Sequence, residues 1–193
     1  MKRITVFCGA SSGFDSIYYS EARHVGQTLA ARGIELVYGA GRIGIMGAVA
    51  DAVLDAGGLA IGVIPGFLCS KEIAHDGLTE LIVVETMHQR KAKMQELCDG
   101  IIALPGGFGT LEELFEVLTW AQLGLHKKPI GILNTNGYYN SLITLIQSMV
   151  DTGFLKEMNQ QMLLVSDNIE DLLSQMTEYQ APDVPKWISD ETT

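Results

Sequence analysis

Seven short apolar runs divide the chain, and each run is continuous rather than alternating. They cover residues 4–8, 34–38, 59–64, 81–84, 101–104, 130–133 and 162–165. Continuous apolar runs are typical of strands that are covered on both faces. Segments of about 12 to 17 residues with helical periodicity separate most of these runs. The pattern therefore predicts an α/β fold, with a doubly wound, mostly parallel sheet of about seven strands flanked by helices.

Polar residues and a glycine mark the ends of two predicted helices. Asp15 is placed to cap the first helix, which Gly33 ends. Ser166 or Asp167 is placed to cap the last helix, which ends near Tyr179. These assignments put polar caps and a stop signal where the apolar periodicity begins and ends.

Composition narrows the class of protein. The 193 residues are 47% hydrophobic, and no composition shift or repeat marks a second domain. We predict one domain over residues 1–180 and a surface tail over residues 181–193.

The formal net charge of −10 argues against a nucleic-acid partner. The longest uncharged stretch, residues 129–150, is interrupted by asparagines and a glycine, so we expect no membrane span and no membrane partner.

Cysteine and histidine usage indicates no metal site and no disulfide framework. The three cysteines are odd in number and far apart, which favours a reducing, cytoplasmic location. The four histidines lack ligand spacing on a common face. Cys8 has no identifiable partner base and is interpreted as a small core residue. Ser11 and Ser12, in the loop that follows, either contact a ligand or cap a turn.

Three glycine-rich loops follow predicted strands, at the edge where open parallel sheets bind ligands. The loop over residues 39–44, GAGRIG, satisfies the G-x-G-x-x-G pattern of dinucleotide sites. Such sites also need an acidic residue about 20 positions on, and the next strand ends in VIPG instead. NAD binding is therefore disfavoured, and the alternative is that these glycines let a helix pack closely on the sheet.

The loop over residues 105–110, PGGFGT, is the stronger ligand-binding candidate. Its backbone amides can converge at the start of a helix, where unpaired N–H groups and the helix dipole favour a phosphate. The alternative is purely structural. Thr110 and Glu113 have the spacing of a capping box, in which Thr110 would be the N-cap and Glu113 would reach back to its amide.

The helix after this loop has two apolar faces. One stripe consists of Leu111, Leu114, Phe115 and Leu118, and we expect it to pack on the sheet. The other contains Val117 and Trp120, with Glu113 on the same side. An apolar face of this kind favours contact with another subunit, so we predict a homodimer with this helix at or near its interface.

A third segment, residues 87–99, is predicted to be a helix with Arg90 inside its apolar arc and Lys91 at the border. A buried guanidinium is costly without an anionic partner, so we expect a carboxylate or a ligand phosphate beside Arg90. The alternative is that Arg90 packs its stem against the core and reaches solvent.

Together, MHQRK at residues 87–91 and PGGFGTLEE at residues 105–113 resemble the Lonely Guy family of cytokinin-activating nucleoside 5′-monophosphate phosphoribohydrolases. The resemblance covers nearly the whole chain and includes VFCGASSG, YGAGRIGIMG and GVIP in the family's order. One departure is Ala40, where the family often has glycine, and this extra methyl group puts the fine fit of the substrate in question.

The resemblance implies a Rossmann-like homodimer that hydrolyses the N-glycosidic bond of a purine nucleoside 5′-monophosphate, a small-molecule nucleotide, to free base and ribose 5-phosphate. It implies no metal and no organic cofactor. Position by position, Arg90 and Glu113 match the family's catalytic pair. The matching substrate-contacting positions are Glu72, Lys91, Gly107, Phe108, Gly109, Thr110 and Thr119. Family members have often carried a lysine decarboxylase label, yet no lysine here is marked as a pyridoxal phosphate anchor.

Elementary chemistry is compatible with this implication and leaves two points open. Cleavage of a ribosyl C–N bond builds positive charge on the sugar, which a carboxylate such as Glu113 can stabilise. Glu113 could instead position the attacking water or hold ribose hydroxyls. A different class of function, a non-catalytic carrier of a phosphorylated nucleotide-like ligand similar to molybdenum-cofactor carriers, would need no carboxylate at the sugar.

Overall fold

The computed structural model describes residues 1–69 and 74–183. Within them, seven strands form one sheet, and every strand boundary lies within one residue of its predicted position. The strands are β1 (Arg3–Phe7), β2 (Glu35–Tyr38), β3 (Ala60–Pro65), β4 (Glu80–Val84), β5 (Gly100–Ala103), β6 (Ile130–Leu133) and β7 (Leu163–Ser166). All six pairings are parallel, in the order β4-β3-β2-β1-β5-β6-β7. The predicted doubly wound α/β class is confirmed.

Seven α-helices accompany the strands within the described residues. They are α1 (Ser16–Ala31), α2 (Gly44–Asp55), α3 (Met87–Leu97), α4 (Phe108–Gln122), α5 (Asn140–Asp151), α6 (Glu157–Gln160) and α7 (Ile169–Glu178). Among the described helices, none is long and apolar enough to cross a membrane. Most of the predicted tail, residues 184–193, lies outside the described residues.

The sheet is covered on both faces because alternate strand residues join two separate apolar clusters. Ile4 and Val6 of β1 belong to one cluster, and Phe7 belongs to the other. Helices α1, α2 and α7 cover the first face, and α3 and α4 contribute to the second. Double coverage explains why the strand runs are continuously apolar in sequence.

The topological switch point of the sheet lies between the neighbouring strands β1 and β5. Strands β2, β3 and β4 extend to one side of β1, and β5, β6 and β7 extend to the other. The loops after β1 and β5 therefore diverge from a common point, which is where open α/β sheets bind ligands. A hydrogen bond from Gly9 N to Pro105 O, at 3.2 Å, joins these two loops.

The helix caps agree with the sequence at one end of the chain and not at the other. Asp15 caps α1, since its carboxylate accepts from the amide of Ile17 at 3.0 Å. The prediction of Ser166 or Asp167 as the cap of α7 is wrong, because Asn168 accepts from the Asp171 amide at 3.0 Å. Ser166 ends β7 instead, and its hydroxyl accepts from the Asn168 amide.

Helix α4 differs from the sequence prediction in its start and in the face it presents to the sheet. It begins at Phe108 with Gly107 as N-cap, so the capping box led by Thr110 does not form. Its buried residues are Thr110, Leu114, Val117 and Ala121. Leu114 packs in the core as predicted, but Val117 does so too, so the prediction that Val117 faces another subunit is wrong. Phe115 and Leu118 line a groove of about 200 Å³ beside α5 and α6 instead.

Candidate active site

A cavity of about 580 Å³ opens at the carboxyl ends of β1 and β5. Residues 8–13 of the β1–α1 loop form one wall, and the β5–α4 loop with the first turns of α4 forms another. Met87 and Arg90 of α3, together with Tyr18 and Tyr138, also line the cavity. This volume lies within the range of sites that enclose a small-molecule ligand.

The β5–α4 loop presents backbone amides to the cavity. Gly106, Gly107, Gly109 and Thr110 all line it. The first amides of α4 have no acceptor within the helix, because that helix begins at Phe108. Phe108 is 93% exposed and does not line the cavity. The arrangement suits an anion such as phosphate.

Arg90 is buried beside this loop with hydrogen-bonding capacity to spare. Only 5% of the residue is exposed, which contradicts the alternative in which it reaches solvent. Its Nη2 donates to the Gly39 carbonyl at 3.1 Å, and its Nε has no partner among the described residues. The expected carboxylate partner is absent among those residues, since Arg90 forms no ion pair there. A buried cation that lines a cavity without a direct ion pair favours an anionic or hydroxyl-rich ligand.

Gly39 explains how this guanidinium fits. A Cβ atom at that position would lie 1.8 Å from Arg90 Nη2 and 3.0 Å from Cζ. The first glycine of GAGRIG therefore makes room for the Arg90 side chain, a role different from the close helix packing considered from the sequence.

Glu113 reaches the cavity from α4 and is partly buried. Burial raises its pKa to about 7, Arg90 opposes the rise, Glu112 adds to it, Lys91 opposes it and Glu116 adds to it. Near neutral pH the carboxyl group therefore exchanges readily between its two protonation states. Perturbed carboxyl groups in clefts are typical of catalytic sites.

Comparison with known proteins agrees with this geometry. A family model described as "Possible lysine decarboxylase" matches residues 46–176. A cytokinin riboside 5′-monophosphate phosphoribohydrolase of Arabidopsis thaliana is 50% identical over 93% of this chain and 82% of its own length. A probable enzyme of the same name from Oryza sativa subsp. japonica is 49% identical over 92% of this chain and 84% of its own length. The chain belongs to the Lonely Guy family.

Solved structures resemble this Lonely Guy protein in fold at much lower identity. A molybdenum cofactor carrier protein from Chlamydomonas reinhardtii has a TM-score of 0.68 and 20% identity, covering 91% of this chain and 96% of that one. A molybdenum cofactor binding protein from Rippkaea orientalis has a TM-score of 0.67 and 21% identity, covering 92% and 97%. At these identities the likeness concerns the fold alone.

The decarboxylase description of the family model does not fit the cavity of this Lonely Guy protein. A pyridoxal phosphate enzyme needs a lysine that faces the cofactor for its Schiff base. Among residues 1–69 and 74–183, no lysine lines the cavity. Lys91, which is nearest in sequence to Arg90, is held elsewhere by two glutamates.

Lys91 joins α3 to α4. Its amine donates to Glu112 at 2.5 Å and to Glu116 at 3.0 Å. Burial by itself would lower the pKa of Lys91, but the hydrogen bonds of these two carboxylates outweigh burial and raise it. The family resemblance places Lys91 at a substrate-contacting position, whereas this structure places its charge between two carboxylates close to Glu113.

We expect the charge at Lys91 to shift the pH profile of catalysis. In Lys91→Met, the uncompensated Glu112 and Glu116 should raise the pKa of Glu113, so the acid limb of kcat/KM should move to higher pH. In Glu116→Gln, one negative charge is lost and the limb should move to lower pH. Profiles of both variants on one nucleotide substrate check this. A uniform loss of rate in Lys91→Met, with no displacement of the limb, would show that Lys91 acts by direct substrate contact instead.

Three other positions were singled out by the family resemblance: the two substrate-contacting positions Thr119 and Glu72, and the departure at Ala40. Thr119 lines the smaller groove beside α5 and donates its hydroxyl to the Phe115 carbonyl at 2.7 Å, outside the cavity. Glu72 lies outside the described residues. Ala40 is fully buried with φ of 64°, and its Cβ atom faces Gly62 of β3. Ala40 does not line the cavity, so its methyl group bears on backbone conformation rather than on the cavity wall.

The loop after β1 bears on the predictions about Cys8 and the two serines. Burial raises the pKa of the Cys8 thiol far above neutrality, which agrees with a small core residue. Ser11 and Ser12 both line the cavity, and the Ser11 hydroxyl also accepts a long bond from the Gly13 amide. Sequence reasoning missed Tyr18 and Tyr138 as lining residues. The rule that could have found them is their position in segments that follow β1 and β6.

Proposed function

We propose that this chain hydrolyses the N-glycosidic bond of purine nucleoside 5′-monophosphates, cytokinin riboside 5′-monophosphates and/or AMP, to the free base and ribose 5-phosphate. One observation carries the proposal. A single cavity holds a helix N-terminus suited to phosphate, a buried arginine with an unused donor, and a glutamate whose pKa is raised to about 7.

Binding of the substrate's phosphate is assigned to the β5–α4 loop and Arg90. The amides of Gly107, Phe108, Gly109 and Thr110 hold the 5′-phosphate, with Arg90 as the nearby cation. Anchoring the phosphate orients the nucleotide and restricts its motion before the reaction begins. The negative charges of Glu112 and Glu116 oppose phosphate binding, and the pairing of both with Lys91 offsets part of that repulsion.

The reaction itself requires water at the anomeric carbon. The C1′–N bond breaks, the base leaves with its electron pair and takes up a proton, and water adds to C1′ and loses one. Positive charge develops on the ribose ring in the transition state, and ionised Glu113 stabilises that charge more than it stabilises the neutral sugar. Positioning of the water and binding of ribose hydroxyls are the two other roles open to Glu113. Arg90 holds the reacting nucleotide in place.

The assembly and location of the enzyme are also proposals. We propose a homodimer with α4 near the interface. The face that supports it is the one carrying Phe115 and Leu118, which leave an apolar groove beside α5. We place the enzyme in the cytoplasm, which its three free cysteines favour. Neither a nucleic acid nor a membrane is proposed as a partner.

Product analysis tests the proposed function. Purified protein incubated with AMP and with N6-isopentenyl-AMP should release base and ribose 5-phosphate in equal amounts, without added metal. Arg90→Ala should lose this turnover while keeping its cooperative melting transition. A molybdenum-cofactor-like carrier function predicts a different result: tight, stoichiometric nucleotide binding and no base released over hours. That result would refute the hydrolase.

A further inference from the structure

The β5–α4 loop has an unusual set of hydrogen bonds on its carbonyl side. Three consecutive carbonyls, those of Leu104, Pro105 and Gly106, each accept from a donor outside the loop. Tyr139 Oη donates to Leu104 O at 2.6 Å, and Tyr138 Oη donates to Gly106 O at 2.6 Å. The Pro105 carbonyl accepts from the Gly9 amide at 3.2 Å.

These bonds bear on the direction of the loop amides. In a trans peptide unit the carbonyl and the N–H point in opposite directions. Fixing the Gly106 carbonyl therefore also fixes the N–H of Gly107, which belongs to the same peptide unit. Both flanking residues are glycines, so side-chain sterics offer little resistance to rotation of this unit. The hydroxyl of Tyr138 donates to that carbonyl and so restrains the rotation.

Tyr138 is itself held in place by aromatic contacts. Its ring packs edge to face on Tyr18, with centroids 5.7 Å apart, and on Tyr139, with centroids 5.0 Å apart. The residue is 43% exposed and lines the cavity, whereas Tyr139 is 1% exposed. A change to the Tyr138 hydroxyl therefore alters the loop without opening the core.

We propose that Tyr138 is a positioning residue for phosphate recognition, because its hydroxyl holds the Gly106–Gly107 peptide with the amide turned toward the bound anion. The inference rests on the proposed function for the identity of that anion, a nucleotide 5′-phosphate. Tyr138 acts through the loop, so its effect concerns the affinity for phosphate and not the bond-breaking step.

The adjacent tyrosine provides a matched comparison. Leu104 directly follows β5, and its amide is bonded to the Phe7 carbonyl at 2.9 Å. The sheet thus fixes the Ala103–Leu104 peptide, and Tyr139 holds the next peptide, Leu104–Pro105, which has no N–H to offer a ligand. Loss of the Tyr139 hydroxyl leaves a buried carbonyl without its partner, which lowers stability and leaves the glycine peptide oriented.

Calorimetry on the full chain tests the inference with two ligands, ribose 5-phosphate and inorganic phosphate. Tyr138→Phe should bind both about tenfold more weakly, the upper end of the effect expected for one hydrogen bond between neutral groups. For the nucleotide, KM should rise by a similar factor while kcat changes by less than about twofold. Tyr139→Phe should melt at a lower temperature and bind both ligands within about twofold of the wild type.

The outcomes separate this inference from the proposed function. If the wild type hydrolyses AMP but Tyr138→Phe binds ribose 5-phosphate and phosphate as tightly as the wild type does, the positioning role is refuted and the hydrolase stands. If the wild type releases no base but binds both ligands, and Tyr138→Phe weakens both, the positioning role stands without the hydrolase. A wild type that binds neither ligand overturns the inference.

Discussion

Glu113→Gln should lower kcat for nucleotide hydrolysis by about 10² to 10³, the usual loss when one preorganised electrostatic group is removed from a transition state. Glutamine keeps the shape of the side chain and removes only the charge. KM should change little, because the charge interacts with the sugar chiefly when that sugar becomes cationic. Steady-state kinetics at pH 8, where the wild-type carboxyl group is mostly ionised, measures the effect.

The same variant should be no less stable than the wild type. Burial raises the pKa of Glu113 to about 7, so the folded protein disfavours the ionised form relative to the unfolded chain. Above the folded-state pKa this carboxylate therefore destabilises the fold, and a neutral glutamine removes that penalty. At pH 8 the melting temperature should be equal or higher. Glu116→Gln, one turn along α4 and outside the cavity lining, is the matched control and should keep most of its activity at that pH.

Removal of the substrate's phosphate should have the second large effect. We expect kcat/KM for adenosine to fall on the order of 10³-fold below that for AMP, which corresponds to about 4 kcal/mol of binding energy. The physical reason is that the amides of the β5–α4 loop and Arg90 hold the nucleotide at a point remote from the breaking bond. Parallel initial-rate measurements on the two substrates give the ratio.

Inhibition provides the control for that ratio. Ribose 5-phosphate should compete with AMP, while ribose at the same concentration should not. Equal rates on adenosine and AMP, or equal inhibition by ribose and ribose 5-phosphate, would show that the loop at the start of α4 does not recognise the phosphate.

Much of the fold could be predicted because the decisive signals are local. Strands covered on both faces are continuously apolar, so all seven appear in sequence within one residue of their observed ends. Asp15 caps α1 by a bond to a residue only two positions away. The face of α4 could not be assigned in this way, because a helix with two apolar faces leaves periodicity undecided. Leu114 was assigned correctly to the buried face, whereas Val117 was not.

The site was predictable in its residue types and not in its contacts. Arg90 was expected to meet a carboxylate or a phosphate, and the structure places it on the Gly39 carbonyl, 51 residues away in sequence. Tyr138 contacts the glycine loop across 32 residues, and Lys91 reaches Glu112 across 21. These pairings arise where the loops after different strands meet at one edge of the sheet, which no local pattern specifies.

A crystal structure of the protein with ribose 5-phosphate bound tests the central claim most directly. It should show the phosphate on the amides at the start of α4, within reach of Arg90, and the anomeric carbon facing the Glu113 carboxyl group. A sugar phosphate bound elsewhere, with the loop unoccupied and Glu113 turned back against its own helix, would contradict the account.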